Sequence, residues 1–250
     1  MLTLFSVPKP FEGPIGDLQR KALESWTGLE GVQVVLLGDE EGVAEAARAG
    51  GAQHVPALAR TEHGTPRLDS AFEQADLVAA HPLRCFVNAD ILLGDDLLVA
   101  TRRVADRAER FLIIGQTRQD GELRGAAALD WFVFPRGIYR DVPPFALGRA
   151  CFDNWLVWQA RQEGMVVDAT RAVVAVHQGH GYEHLAGGKE EAYYGEEAAR
   201  NLELAGGKRH LYTIHDASHV LVNGRLRRNL GATLRARETL RKVAWKLGLK

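Results

Sequence analysis

At 250 residues, with 46% hydrophobic and 25% charged side chains, the chain has the make-up of a globular protein with room for a substantial core. No uncharged apolar run approaches the roughly 18 residues of a membrane span, and Met1-Leu2-Thr3-Leu4-Phe5 carries no basic leader, so neither secretion nor a transmembrane segment is expected and the expected location is cytoplasmic. The net charge of −1 hides a divide: Lys208 to Lys250 hold eleven Lys/Arg against Asp216 and Glu238, a local +9 that leaves −10 on the rest.

In chain order, the residues up to about 115 alternate short apolar runs with helical patterns, which predicts a parallel sheet with helices on its faces. Leu2 to Val7 is a first strand and runs into the loop Pro8-Lys9-Pro10-Phe11-Glu12-Gly13-Pro14. Ile15, Leu18, Ala22 and Trp26 then recur at helical spacing. Val32 to Leu37 is a second strand, Val43 to Ala49 a short helix stopped by Gly50-Gly51, and Gln53 to Pro56 a third strand. Leu68, Phe72, Ala75 and Ala79 mark a helix ending before Pro82. The apolar run Cys85 to Leu93 reads as a buried strand. Asp95 caps the next helix, whose stripe is Leu98, Thr101, Ala105 and Ala108, and Phe111 to Gly115 is another strand.

Beyond that point the rhythm changes. Leu129 to Phe134 has no helix before it, which predicts an antiparallel or mixed-sheet strand. A helix from about Ala150 to Arg161, stopped by Gly164, precedes strands Met165 to Asp168 and Ala172 to Val176. Residues 185–205 are polar and acidic, and 231–248 has the pattern of a basic amphipathic helix. The expected class is α/β: one domain over 1–185 with a mostly parallel mixed sheet flanked by helices, then a C-terminal extension, 186–250, made of a lid and the basic helix. With only Cys85 and Cys151, a disulfide framework or thiolate metal cluster is not expected.

Asn88 and Asp90 stand out because polar side chains in a buried strand are expensive unless something binds them. On one strand face they would converge on a ribose or on a hard divalent cation carrying phosphate. His177, His180 and His184 follow the last strand; Gly179 and Gly181 argue against a helical zinc site, so His177 is expected to complete a metal site begun by Asp90, with His180, Tyr182 and His184 donating to phosphate. Asp153 lies in a first helical turn, where the macrodipole lowers a carboxylate's pKa, and an ionised Asp at a cleft suits general-base work. Arg149 is placed to pair with it or to hold an anionic substrate. Dinucleotide, P-loop and serine-elbow signatures are all missing.

In order and spacing, these pieces resemble the glycosyltransferases of the GT-A fold, the nucleotide-diphospho-sugar transferases. The resemblance covers about residues 2–185. It implies that the first-strand loop, Ser6-Val7-Pro8-Lys9 onward, meets the donor, and that Asn88-Ala89-Asp90 stands for the Asp-x-Asp motif. It also implies that Leu129 to Phe134, with Asp130, is the acceptor strand, that Asp153-Asn154 marks the acid helix, and that His177 completes the metal site. Here the first motif carboxylate is Asn88 and the usual acid pair is reduced to Asp153, with Asp130 the second candidate base.

The implied activity is transfer of a sugar from a nucleoside-diphosphate sugar to a hydroxyl acceptor, with Asp90 and His177 holding Mg2+ or Mn2+. A sugar nucleotidyltransferase is the first alternative, though Ser6-Val7-Pro8-Lys9-Pro10 lacks its Gly-rich signature; a non-catalytic nucleotide-sugar-binding protein is the second. In the tail, Leu234, Leu240, Val243 and Trp245 among Arg235, Arg237, Arg241, Lys242 and Lys246 suit peripheral docking of 231–250 on an anionic membrane face. Tyr212 and Trp245 alone offer no stacking platform, which argues against nucleic acid.

Overall fold

The structure is a computed structural model that describes residues 1–179 and 187–232. The expectations for His180, Tyr182, His184 and the tail from 233 onward fall outside those residues.

The chain opens as predicted: β1 (Leu2–Ser6), α1 (Gly13–Thr27), β2 (Val32–Leu37), α2 (Val43–Gly50), β3 (Gln53–Val55), α3 (Leu68–Val78) and β4 (Leu83–Val87). Next come β5 (Ile91–Leu92), α4 (Asp96–Ala105), β6 (Phe111–Gln119), β7 (Glu122–Leu123), β8 (Leu129–Pro135), α5 (Phe152–Glu163), β9 (Met165–Asp168) and β10 (Ala175–His177). Helices α6 (Gly188–Tyr194) and α7 (Glu196–Leu204) precede the hairpin β11 (His219–Val222) and β12 (Arg225–Arg228). The main sheet runs β12-β11-β9-β6-β8-β4-β1-β2-β3. Its pairings are parallel except at β8, antiparallel to both β4 and β6, and at the edge pair β11 and β12. The antiparallel expectation for Leu129 to Phe134 is thus met, and the extension adds β11 and β12 to the main sheet.

Both faces of the sheet are covered, so strand residues alternate between two cores. Cys85, Val87, Trp131 and Val133 face α1, α2 and α4, with Leu23, Trp26 and Leu97. Phe5, Phe86, Phe132 and Phe134 face α3 and α5, with Phe72, Phe152 and Leu156. Phe72 stacks on Phe134 at 5.4 Å and meets Phe5 edge-on at 5.3 Å.

Four local expectations need correction. Cys85 to Leu93 is not one strand: β4 ends at Val87, residues 88–90 turn, with Ile91 N bonded to Asn88 O, and β5 pairs instead with β10. Asn88 and Asp90 therefore do not share a strand face. The buried stripe of α4 is Leu97, Ala100, Thr101 and Val104, an equally periodic set one residue away. Strand β6 runs past Gly115 because a bulge between Ile114 and Gln116 lets its second half leave β8 and pair with β7 and β10. At the end of the domain, Ala172 N and Val173 N both bond Ala169 O, so that stretch is a turn and β10 starts only at Ala175.

Candidate active site

Since β8 alone runs backwards at the centre, its first residues lie against the C-terminal end of β4 and the second half of β6, with β1 next to β4. A cavity of about 510 Å³ opens at this edge, where open α/β sheets bind their ligands. Val7, Lys9, Asn88, Ala89, Asp90, Asp130, Asp153 and His177 all line it. Ser6 and Pro8 do not: the Ser6 hydroxyl is buried and donates to Val87 O at 2.7 Å, tying β1 to β4. A larger cavity, about 610 Å³, lies over Phe72, Phe134 and the Arg84–Asp76 pair, and none of the sequence candidates lines it.

One end of the 510 Å³ cavity is built by Lys9, Asp90 and His177. The register Val176↔Leu92 and His177↔Ile91 sets the imidazole beside the 88–90 turn, with His177 Nε2 at 3.0 Å from Asp90 Oδ2. Gln178 locks the turn by donating from its amide nitrogen to Asp90 O and Leu18 O. The Lys9 loop is clamped by Gln19, which accepts from Lys9 N at 2.7 Å and donates to Lys9 O at 2.9 Å. Gln19 was missed in the sequence because a polar residue in an amphipathic helix carries no mark of facing inward. Burial lowers the Lys9 pKa to about 8; the Asp90 charge opposes this and that of Arg149 adds to it.

The other end belongs to β8 and α5. Asn88 Nδ2 donates to Asp130 Oδ1 at 3.1 Å, while Asp130 Oδ2 accepts from Thr117 Oγ1 at 2.7 Å and Arg124 Nη1 at 2.8 Å. Asp130 is thus a carboxylate with three donors, and Asn88 serves it. Asp153 accepts from Asn154 N at 2.9 Å. It keeps a surface on the cavity but is otherwise packed in protein, and that desolvation raises its pKa to about 7, with the Asp130 charge adding to the rise. The helix dipole argues for a lowered pKa, whereas desolvation at this helix start acts in the opposite direction. Arg149 does not pair with Asp153; its Nη2 pairs with Glu197 Oε2 at 2.9 Å.

The loop before α5 is held from the extension. Asn201 of α7, fully buried, accepts from Ala146 N and donates to Ala146 O and Ala150 O at 2.9–3.1 Å. Ala150 N donates to Ala192 O of α6. The clamp supports Cys151, whose φ of 85° is strained for a residue with a side chain, immediately ahead of Phe152 and Asp153. Among the described residues, the one group of three His, Cys, Asp or Glu side chains with ligand-like spacing, Glu62, His63 and Glu196, is exposed and outside the cavity.

No family model matches the sequence, and no curated protein matches it. Solved structures match in shape. Glucosyl-3-phosphoglycerate synthase from Mycobacterium tuberculosis, in complex with Mn2+, UDP-glucose and phosphoglyceric acid, gives a TM-score of 0.53 at 12% identity, covering 83% of this chain and 80% of that one. A mannosyltransferase from Pyrobaculum calidifontis, in complex with GDP-Man and Mn2+, gives 0.51 at 16% identity over 70% of this chain. The fold is the GT-A fold. The chain spans 56% of the length of the Pyrobaculum protein, and the GT-A likeness is one of architecture. Within a GT-A sheet, the 510 Å³ cavity occupies the edge at which the parallel strands end.

Proposed function

We propose that this chain transfers a sugar from a nucleoside-diphosphate sugar to a hydroxyl acceptor, with Asp153 as the general base. One observation carries the reading: the Asp153 carboxylate lines the same cavity as the Lys9, Asp90 and His177 group. Complexes of its structural neighbours with GDP-Man or UDP-glucose and Mn2+ support the donor class.

Asp90 and His177 fit a small hard cation, because a carboxylate oxygen and an imidazole nitrogen 3.0 Å apart have the separation of adjacent ligands at bonds of about 2.1 Å. These two residues would hold Mg2+ or Mn2+, diphosphate and water completing the shell, and the ion when bound supplies Lewis-acid stabilisation of the leaving group. Lys9 binds the anionic donor at this end. Asp153 takes the proton from the acceptor hydroxyl as its oxygen bonds to the anomeric carbon and the bond to the diphosphate breaks, inverting that carbon. Asp130, both of its oxygens already accepting hydrogen bonds, positions Asn88 and the floor of the cavity.

A thermal-shift screen of UDP-, GDP-, ADP- and dTDP-sugars, with and without Mn2+, tests the donor class. One nucleotide sugar is expected to raise the melting temperature, more so with the ion. No shift with any of them overturns the reading, and pyrophosphate release from a nucleoside triphosphate and a sugar phosphate would replace it with nucleotidyl transfer. Binding without turnover on any hydroxyl acceptor would leave a nucleotide-sugar-binding protein.

A further inference from the structure

We infer that Arg149 recognises an anionic group, a carboxylate or a phosphate, on the acceptor; the inference rests on the glycosyl-transfer reading. Arg149 lines the cavity from the loop that leads into Asp153, and its side chain is only 13% exposed. Both of its observed polar contacts use one nitrogen: Nη2 meets Glu197 Oε2 at 2.9 Å and Thr65 Oγ1 at 3.4 Å. Nε is buried without a hydrogen-bond partner among the described residues. A guanidinium has five N–H donors in a fixed fork, so anchoring one corner aims the others.

The anchor is itself built for that task. Glu197 is buried, and burial alone would raise its pKa, yet hydroxyl donation from Thr61 at 2.6 Å and Thr65 at 2.7 Å, with the Arg149 charge, holds it below the usual carboxylate range. Four residues further along α7, Asn201 fixes the backbone on either side of Arg149. A buried ion pair kept for stability alone gives little over an apolar pair of the same volume. This one borders the cavity, and Lys9 registers the Arg149 charge, so two cations share the space in which substrates meet. Lys9 lies at the Asp90 end with the donor diphosphate, while Arg149 is carried four residues before Asp153 on the loop entering α5, and the whole stretch from Leu147 to Asn154 lines the cavity. Its place on the loop that delivers Asp153, rather than any separation from Lys9, assigns Arg149 to the acceptor.

Inorganic phosphate is the probe. Calorimetry on the full chain, with and without a saturating nucleoside diphosphate and Mn2+, measures phosphate affinity for the wild type, Arg149→Met, Arg149→Lys and the pair Arg149→Met with Glu197→Gln, which leaves no buried carboxylate uncompensated. In the nucleotide-saturated protein, phosphate affinity is expected to fall at least tenfold in both Met variants and to recover in part with Lys, while nucleotide affinity holds. Unchanged phosphate affinity in the Met variants overturns the inference. Loss of nucleotide affinity instead reassigns Arg149 to the donor and overturns it as well. Failure of the wild type to bind any nucleotide would count against glycosyl transfer itself, and the titration without nucleotide would still show whether Arg149 holds an anion.

Discussion

Asp153 and Lys9 have been moved by burial toward each other on the pH scale, to about 7 and about 8. If the first must lose its proton and the second keep it, kcat/KM rises with pH through about 7 and falls above about 8, a narrow bell that a pH-rate profile checks. Asp153→Asn is expected to lower kcat by roughly 10²- to 10⁴-fold with donor affinity retained; undiminished turnover removes Asp153 from the role. The same residue carries a stability cost. Its folded pKa lies above the unfolded 3.8, so the protonated form favours the fold, and that contribution, full below pH 3.8, is lost as pH rises through about 7. Asp153→Asn should therefore melt a few degrees above the wild type at pH 8 and close to it at pH 4, which differential scanning calorimetry checks. Candidates such as Asn88, Asp90, Asp153 and His177 were legible because polar residues next to apolar runs are conspicuous. Their partners were not: nothing local to Asn88 says that its amide serves Asp130, and nothing local to Asp153 reveals its desolvation.

Among the elements, α7 shows how much of the site comes from outside the wound sheet. Its sequence reads only as polar and acidic, yet Glu197 and Asn201 are buried on one face. Asn201→Ala leaves Ala146 N, Ala146 O and Ala150 O without their partner, and is expected to destabilise the fold by about 2–4 kcal/mol in denaturant titration. A loss below about 0.5 kcal/mol would show that the loop stands without its clamp. The bulge in β6 depends on a similar fit. A Cβ at Gly115 would lie 2.6 Å from Trp131 Cζ2 and 3.2 Å from Thr170 N, so Gly115→Ala should cost about 1–3 kcal/mol by overpacking. Strand and helix existence followed from periodicity through β10 apart from β5 and β7, while α6, α7, β11 and β12 were not foreseen. The α4 stripe slipped by one residue because two faces of that helix carry nearly equal apolar patterns, and only packing on the sheet chooses between them.

At the scale of the molecule, the mixed sheet and an antiparallel or mixed-sheet strand over Leu129 to Phe134 were legible, because a strand with no helix before it cannot be the next parallel unit, but not that this strand lies at the centre. The charge divide was legible too, and the described hairpin continues it: Arg225, Arg227 and Arg228 are exposed on the edge strand just before the basic tail. Cosedimentation with vesicles containing anionic lipid should weaken as salt rises if 231–250 docks on membranes; equal recovery with neutral vesicles would dismiss the idea. The reversed strand has a consequence for assembly. Without β8, the main sheet parts into β3-β2-β1-β4 and β6-β9-β11-β12, joined only through β5, which follows β4 and pairs with β10 beside β6. One half-sheet carries Lys9 and the start of the Asn88 turn; the other carries Thr117 and, through β10, His177. β5 and β10 bring Asp90 and His177 together without β8, whereas Asp130 and its contacts to Asn88, Thr117 and Arg124 exist only with β8 in place, so this one reversed strand joins the two ends of the cavity into a single site.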